Sequence, residues 1–465
     1  MSTPTLSPTT AAAPALPTGT LLRLATAGSV DDGKSTLVGR LLFDSKSVLA
    51  DQLDAVERVS RDRGLETADL ALLTDGLRAE REQGITIDVA YRYFATARRS
   101  FVLADCPGHV QYTRNTVTGA STADAVVLLI DARKGLLEQT RRHLAVASLL
   151  RVPHVVVAVN KIDLVDYSRE RYLELEREVA AAARSLGVAD VHTIPVSALV
   201  GDNVVERGAG TPWYDGPTLL ELLEELPTGD DPDTEAFRLP VQVVIRPQGA
   251  AADDAAADVF RDYRGYAGQI ASGVVRVGDE VVVLPSGRRT RVAGIDTADT
   301  LRDPADPLAG LPEAFAPQSV TLRLADEIDV TRGDLVAAVG DAPELTQDVE
   351  GTVAWLSDRP LLPGARVLLK HTTRTVQAVV RDVVGRLDLD AAELVPAERL
   401  DLNDIGRVTL RLASPVAAEE YVTSRRTGAF LLVDGQDGGT LAAGMVGDAL
   451  AATRHPEQRP AQYAI

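Results

Sequence analysis

The chain has 465 residues, with 48 Lys and Arg against 67 Asp and Glu, which gives a formal net charge of −19. Because domains usually comprise about 100 to 200 residues, a chain of this length is expected to form three folded units. The excess of acids argues against a nucleic-acid partner, since capture of a polyanion needs a basic face.

The cysteine content and the hydropathy of the chain indicate its expected cellular compartment. Cys106 is the one cysteine, so we expect no internal disulfide, no structural zinc and a reducing cytoplasm. No run of about 18 apolar residues occurs, so we expect no membrane span. Residues 2–22 carry no charge and lack the features of a signal or transit peptide. We predict a disordered tail over residues 1–20.

Apolar runs alternate with helical stretches in the first half of the chain. Runs over 21–27, 100–104, 125–130 and 154–159 predict strands, and each is followed by a loop with polar or charged residues. Ligands bind beyond the carboxyl ends of parallel strands. We therefore predict an α/β domain over residues 21–228, with a mostly parallel sheet flanked by helices.

Proline, glycine and charge interrupt both periodicities over 226–235, which predicts a domain boundary. Beyond it, short β-branched segments with glycine turns predict two antiparallel β-barrel domains, over 235–340 and 345–455, and a tail over 456–465. The Ala- and Asp-rich stretch 249–258 is interpreted as an exposed loop insertion.

The segment Gly28-Ser-Val-Asp-Asp-Gly-Lys-Ser35 has the spacing of a phosphate loop. Its glycines let backbone N–H groups curl around phosphate oxygens at a helix N-terminus. Lys34 is predicted to reach the β- and γ-phosphates, and the Ser35 hydroxyl to coordinate Mg²⁺. The alternative, an ordinary surface lysine, does not explain the strand before the loop or the helix predicted over 36–42.

The segment Asp105-Cys-Pro-Gly-His109 follows a predicted strand. Asp105 is predicted to hold Mg²⁺, through water, and Gly108 to offer a flexible N–H to the γ-phosphate. His109 is predicted to act on the attacking water, either by orienting it or by transferring its proton. A lone histidine is more often structural, but this one lies inside a phosphate-sensing loop.

Asn160-Lys-Ile-Asp163 predicts recognition of guanine. Asp163 can accept from the N1 and N2 donors that adenine lacks, Asn160 can bond the other edge of the base and tether loops, and the Lys161 stem can lie over the ring. Adenine would leave a buried carboxylate unpaired, so GTP is favoured over ATP. Ser197-Ala-Leu199 is predicted to complete the site, with the Ala198 N–H facing guanine O6.

Thr86, in Gln83-Gly-Ile-Thr-Ile87, is the predicted first-switch residue. Its hydroxyl is expected to coordinate Mg²⁺ and its N–H to contact the γ-phosphate, so that GTP orders the segment. The alternative is a strand threonine between two isoleucines. The predicted catalytic residues are thus Lys34, Thr86, Gly108 and His109, and the predicted Mg²⁺ ligands are Ser35, Thr86 and Asp105.

These motifs predict that the domain over residues 21–228 is a P-loop GTPase domain. The residues predicted to bind GTP lie in four segments. They are Gly28, Ser29, Val30, Asp31, Asp32, Gly33, Lys34, Ser35, Thr36, Asp105, Cys106, Pro107, Gly108, His109, Asn160, Lys161, Asp163, Ser197, Ala198 and Leu199.

With these motifs the chain resembles a translation-factor-type GTPase, and closely resembles the large subunit of bacterial ATP sulfurylase over about residues 21–455. The distinguishing segments include Leu72-Leu-Thr-Asp-Gly-Leu77, Gln111-Tyr-Thr-Arg-Asn115, Trp213-Tyr-Asp-Gly-Pro217 and Tyr263-Arg-Gly-Tyr-Ala-Gly-Gln-Ile-Ala-Ser-Gly273. Elongation factors usually carry histidine where Asp32 stands, which argues against a role in translation.

The resemblance implies a heterodimer, or a larger assembly, with a smaller catalytic subunit that forms adenosine 5′-phosphosulfate and pyrophosphate from ATP and sulfate. This chain would hydrolyse GTP to drive that step. Some relatives append a kinase, which requires a second phosphate loop. None follows Gly340, so we expect no kinase activity.

Two other functions remain open from the sequence. One is a translational GTPase of the elongation factor Tu type that delivers aminoacyl-tRNA. The other is a regulatory GTPase that binds a protein partner without energetic coupling. Net charge and Asp32 favour the sulfurylase over translation, and co-purification of a smaller nucleotidyltransferase would argue against the regulatory role.

Overall fold

The computed structural model describes residues 21–46, 54, 56, 58–61, 70–73, 89–109, 113–188, 190–228, 234–247, 260–302, 308–389 and 391–449. The chain folds into two compact units, with the break between them after Thr228. The predicted tails, Thr86 and the 249–258 insertion lie outside the described residues.

A six-stranded sheet forms the centre of the first unit, in the order β2-β3-β1-β4-β5-β6. Only β2 is antiparallel to its neighbour among these described strands. The strands are β1 (Leu21–Gly28), β2 (Ala90–Ala95), β3 (Ser100–Asp105), β4 (Ala125–Asp131), β5 (His154–Asn160) and β6 (Val191–Pro195).

Helices accompany this sheet. They are α1 (Lys34–Asp44), α2 (Thr113–Ala120), α3 (Glu138–Leu149), α4 (Arg169–Ser185) and α5 (Leu219–Glu225), with short 3₁₀ turns at Leu70–Leu73 and Ile162–Val165. Every residue of β4 and β5 is buried, as expected for parallel strands covered on both faces. The central strands therefore form a rigid base for the loops that follow them.

The predicted strands agree with the structure to within one residue at their carboxyl ends. The additional residue is Gly28, Asp105, Asp131 or Asn160, so these residues end a strand instead of beginning a loop. Strand hydrogen bonds thus fix their backbones directly.

The second unit begins with an antiparallel sheet in the order β7-β15-β11-β12-β14-β9-β8. A bridge between Arg238 and Ser272 joins β7 to the segment after β9 and closes it into a barrel. Its strands and the separate β10–β13 ribbon are β7 (Arg238–Pro240), β8 (Val243–Ile245), β9 (Gly265–Gln269), β10 (Val274–Arg276), β11 (Glu280–Leu284), β12 (Arg288–Asp296), β13 (Glu313–Phe315), β14 (Ser319–Leu324) and β15 (Leu335–Ala338).

A second antiparallel sheet has the order β17-β21-β22-β16-β20-β18-β19, and pairing of β17 with β18 closes it. Its strands are β16 (Leu345–Trp355), β17 (Arg366–His371), β18 (Arg374–Asp388), β19 (Glu393–Val395), β20 (Ile405–Ala417), β21 (Ala429–Val433) and β22 (Thr440–Val446). Register shifts between β18 and β20 let these long strands bend around the barrel.

The predicted fold class is confirmed: a mostly parallel α/β unit is followed by antiparallel barrels. The exact domain limits taken from the sequence remain predictions. None of the helices in the described ranges combines the length and apolar character that crossing a membrane requires.

Candidate functional site

The phosphate loop connects the end of β1 to the start of α1. Gly33 precedes α1 with a φ of 94°, a conformation that side chains rarely adopt. A Cβ on Gly33 would lie 2.4 Å from Asn160 Nδ2. Glycine is therefore required here both for the backbone turn and for the close approach of the loop that carries Asn160.

Lys34 is the first residue of α1, and its side chain folds back over the loop. Its Nζ donates to the carbonyl oxygens of Gly28 at 3.1 Å and Ser29 at 2.9 Å. Burial lowers the pKa of Lys34, and the nearby carboxylate of Asp105 opposes that shift. The ammonium group is thus held inside the loop by backbone oxygens and a neighbouring negative charge.

The second predicted segment lies directly against the phosphate loop. Asp105 is buried at the end of β3, and its Oδ1 accepts a hydrogen bond from Thr26 Oγ1 at 2.8 Å. A Cβ on Gly108 would lie 2.2 Å from Lys34 Nζ and 2.5 Å from the Gly28 oxygen. Substitution of Gly108 would therefore displace one of these two segments.

Two other residues of the segment 105–109 differ in their environment. His109 is half-buried and follows Gly108 directly. Cys106 is buried, and burial raises the pKa of its thiol well above the ordinary range. A neutral, buried thiol is suited to packing rather than to nucleophilic chemistry.

Asn160 joins the two predicted base-reading segments to the phosphate loop. Its Nδ2 donates to the Asp32 carbonyl oxygen at 2.7 Å, and its Oδ1 accepts from the Ala198 N–H at 2.9 Å. The Ala198 N–H that the sequence assigns to guanine O6 thus already has an acceptor, so contact with O6 requires a shared hydrogen bond. Asp163 lies half-buried in the 3₁₀ turn at Ile162–Val165.

The Lys161 side chain also contacts the phosphate loop. Its Nζ hydrogen-bonds the Asp31 carbonyl oxygen and lies 3.1 Å from Asp131 Oδ2. Burial favours a raised pKa for Asp131, but hydrogen bonds from Arg133 and Lys161 outweigh it and hold the pKa well below its usual range. Asp131 was not predicted from the sequence, although its position at the end of β4 was a usable signal.

Asp32 turns back into the phosphate loop. Its Oδ2 accepts the Ser29 N–H at 2.8 Å, whereas Oδ1 is buried and has no hydrogen-bond partner among the described residues. Burial, the largest influence, raises the pKa of this carboxyl group. A buried oxygen without a hydrogen-bond donor shows that the described protein groups do not fill all the hydrogen-bonding positions of the phosphate loop.

Two residues of α3 beneath the phosphate loop were also not predicted from the sequence. His143 Nδ1 accepts the Gly28 N–H at 3.1 Å, and Thr140 Oγ1 lies 3.3 Å from Ser29 Oγ. Burial and the nearby Lys34 charge lower the pKa of His143 to about 3. A threonine and a histidine three positions apart share one helix face, which is the signal that the sequence offered.

Comparisons with known proteins follow the same division of the chain. The elongation factor Tu GTP binding domain family matches residues 20–228, and the GTP-eEF1A C-terminal domain-like family matches residues 348–447. A solved structure of sup35 complexed with GMPPNP is 25% identical, with a TM-score of 0.40 over 92% of this chain and 94% of that chain.

Curated relatives extend over nearly the whole chain. The bifunctional enzyme CysN/CysC of Mycobacterium tuberculosis is 53% identical over 92% of this chain and 67% of its own length. Sulfate adenylyltransferase subunit 1 of Alteromonas mediterranea is 45% identical, and that of Cellvibrio japonicus 47% identical, each over 93% of this chain and 88% of its own length.

Fold, strand-end loops and family match together define a GTP-binding protein of the elongation factor Tu type. Within that class, the chain belongs to the sulfate adenylyltransferase subunit 1 family. The family predicted from the sequence is confirmed, and the translational alternative is not favoured.

Proposed function

We propose that this chain is the GTP-hydrolysing subunit of a sulfate adenylyltransferase. It would couple GTP hydrolysis to formation of adenosine 5′-phosphosulfate and pyrophosphate from ATP and sulfate. The observation that carries the proposal is 45–47% identity to two curated subunit 1 proteins over 93% of this chain. The converging loops support the nucleotide chemistry.

The phosphate subsite is built from the loop 28–36 and Lys34. Backbone N–H groups at the start of α1 would face phosphate oxygens, which the helix N-terminus favours. Lys34 Nζ, now bonded to the Gly28 and Ser29 oxygens, would turn to the β- and γ-phosphates. Only a small movement of the ammonium group is needed for this exchange of partners, because it already lies within the loop.

The described residues fit a Mg²⁺ site of the type completed by nucleotide phosphates. Ser35 offers a hydroxyl and Asp105 a buried carboxylate, and Mg²⁺ takes such oxygen ligands together with phosphate and water. We propose Thr86 as the third ligand. When bound, Mg²⁺ neutralises charge that develops on the transferred phosphoryl group.

Hydrolysis is assigned to the Gly108–His109 segment. The close approach of the Gly108 backbone to Lys34 and Gly28 would let its N–H respond to the γ-phosphate, and His109 would then position the attacking water. Phosphoryl transfer depends on such positioning and on charge stabilisation more than on covalent chemistry. Hydrolysis would release the segment and change the state of the subunit.

Guanine recognition is assigned to Asp163, Asn160, Lys161 and the Ser197–Leu199 loop. The Asp163 carboxylate would accept the N1 and N2 protons of guanine, and the Lys161 stem, anchored at both Asp31 and Asp131, would lie over the ring. Adenine cannot supply the two donors, so it would leave a carboxylate unpaired.

Coupling requires a partner. Adenylylation of sulfate forms a mixed anhydride and is strongly uphill, so a nucleotide-dependent state of this chain must favour product in the partner's site. We propose that the partner is the smaller catalytic subunit, in a heterodimer or larger assembly, and that the complex works in the cytoplasm without nucleic acid or membrane.

The test measures pyrophosphate release from ATP and sulfate by this chain with the smaller subunit, with and without GTP. We expect a GTP-dependent rise that is stoichiometric with GTP hydrolysis, and its loss in Lys34→Ala. Stimulation of that variant near the parent level would refute the phosphate-loop assignment. GTP hydrolysis without any rise, together with binding of aminoacyl-tRNA, would move the protein to translation.

A further inference from the structure

Arg40 links helix α1 to the Ser197–Leu199 loop. Its Nη2 donates to the Leu199 carbonyl oxygen at 2.6 Å, and its Nε donates to the Ala198 carbonyl oxygen at 3.3 Å. The two carbonyls are consecutive along the chain, so one planar guanidinium binds both. None of the motifs recognised in the sequence includes Arg40.

The Ala198 residue is consequently held from both sides. Asn160 Oδ1 accepts its N–H at 2.9 Å, while Arg40 binds its carbonyl oxygen. Ala198 itself is only 1% exposed, so its polar groups depend on these partners instead of water. The placement of this loop therefore depends on two side chains, one from β5 and one from α1.

The turn that follows is closed by its own backbone. The Ser197 N–H donates to the Asp202 oxygen at 3.1 Å, and the Gly201 N–H donates to the Ser197 oxygen at 2.7 Å. A Cβ on Gly201 would lie 3.7 Å from the Arg40 Nε and Nη1 atoms. The turn is thus a preformed unit that packs against the guanidinium, and Arg40 fixes where that unit lies.

Arg40 also has an ion-pair partner on its own helix. Asp44, one turn further along α1, lies 3.7 Å from Nη1, and the Arg40 side chain is 19% exposed. Arg40 is six residues beyond Lys34 on the same helix, a rise of about 9 Å. A rigid helix therefore relates the lysine of the phosphate subsite to the loop of the base subsite.

We propose that Arg40 is a positioning residue for guanine recognition, which holds the Ser197–Leu199 loop at a fixed place relative to the phosphate loop. This inference rests on the proposed function, in which the Ala198 N–H of that loop faces guanine O6 and shares its hydrogen bond with Asn160 Oδ1. Arg40 acts through the loop and does not touch the nucleotide. The forked geometry of arginine is required, since lysine cannot bind two successive carbonyls in one plane.

The experiment measures the equilibrium binding of three nucleoside diphosphates to the full chain. They are the diphosphates of guanosine, inosine and 2-aminopurine riboside. The 2-aminopurine base lacks O6 and, with it, the N1 proton, whereas hypoxanthine keeps both and lacks the 2-amino group, so inosine diphosphate reports on Asp163 independently of O6. The variants are Arg40→Ala and Arg40→Lys, with Asp44→Asn as the matched control that removes the ion pair and leaves both carbonyl bonds.

We expect Arg40→Ala to weaken guanosine diphosphate binding about tenfold and to reduce its preference over the 2-aminopurine nucleotide by a similar factor. The preference for guanosine over inosine, which depends on Asp163, should remain within about twofold of the parent. Arg40→Lys should behave like Arg40→Ala and serves as the alternative if the alanine variant does not fold, and Asp44→Asn should behave like the parent.

The outcomes distinguish a failure of the positioning role from a failure of the proposed base reading. A parent-like preference for guanosine over 2-aminopurine in both Arg40 variants would overturn the positioning role. Equal losses for all three nucleotides would also overturn it, because they would indicate a general structural effect. If the parent protein itself showed no preference for guanosine diphosphate over the 2-aminopurine nucleotide, the proposed base reading would be wrong before Arg40 is considered.

Discussion

His143 Nδ1 accepts the backbone N–H of Gly28 at 3.1 Å, although the two residues are 115 positions apart in the chain. On its other side, the Gly28 carbonyl oxygen accepts from Lys34 Nζ at 3.1 Å. Gly28 is therefore fixed through both its N–H and its carbonyl. Any displacement of this residue changes the position of the lysine that is proposed to bind phosphate.

Replacement of His143 should therefore weaken GTP binding. His143→Ala removes the acceptor of a buried N–H, a loss of about 1 to 3 kcal/mol, which corresponds to about 5- to 150-fold in affinity. His143→Asn should retain most of the affinity, because Asn Oδ1 can occupy the place of Nδ1. Titration of both variants with GTP checks this, and equal losses in the two would contradict the hydrogen-bond explanation.

Acid should destabilise the first unit through His143. Its pKa is lowered to about 3, mainly by burial, below an ordinary value of about 6.5. The folded state therefore favours the neutral imidazole. The stability from this group is complete above about pH 6.5 and is lost as the pH falls toward 3, by up to about 1.4 kcal/mol per pH unit.

Urea unfolding between pH 4 and pH 7 measures this slope. His143→Asn carries no titratable group, so its stability should depend less steeply on pH over that interval. Identical slopes for parent and variant would show that His143 does not titrate on unfolding.

Gly108→Ala should impair hydrolysis more than nucleotide binding. The added Cβ would meet Lys34 Nζ at 2.2 Å and the Gly28 oxygen at 2.5 Å. The lysine can move aside but the backbone oxygen cannot, so the segment must shift. Misplacement of about 1 Å costs about 10²-fold in rate. Single-turnover GTP hydrolysis and GDP affinity should be measured together.

Gly340→Ala is the matched control for this substitution, because no atom lies within 4 Å of its added Cβ. It should hydrolyse GTP at the parent rate. Normal hydrolysis by Gly108→Ala would indicate that the loop tolerates the shift, and it would contradict the assignment of hydrolysis to the Gly108–His109 segment.

Asp163→Asn should change base preference. The amide N–H₂ can donate to the 2-oxo group of xanthine, whereas it cannot accept both guanine donors, so GTP use should fall by about 10²-fold and xanthosine triphosphate should become the better substrate. The ratio of kcat/KM for the two nucleotides reports this directly. Unchanged GTP use would refute the base-reading assignment.

Arg238 and Glu419 should stabilise the second unit strongly. The Arg238 side chain is 2% exposed, and its Nη2 lies 2.9 Å from Glu419 Oε1. Arg238→Met leaves a largely buried carboxylate with the Thr427 hydroxyl but without a cation, and it should cost about 3 to 5 kcal/mol in chemical unfolding. Arg276→Met removes the exposed pair with Glu313 and should have no measurable effect. Equal effects would contradict the burial argument.

The sequence determined the fold class and the four strand-end segments, because apolar periodicity selects strands and helices locally. It also indicated which chemistry each segment could perform, since Lys34, Asp105 and Asp163 belong to short motifs with fixed spacing. Strand limits differed by one residue, as residues such as Asn160 continue the ladder before the loop begins. Thr86 lies outside the described residues and stays a prediction.

Only the tertiary structure decided which side chains hold these segments in place. Gly28 with His143 and Ala198 with Arg40 are separated by 115 and 158 positions, and no local pattern relates them. Each contact depends on how a helix packs on the sheet and which of its faces it presents. Short runs of contiguous residues therefore determine the chemistry of the site. Its geometry depends on long-range packing, which local periodicity does not specify.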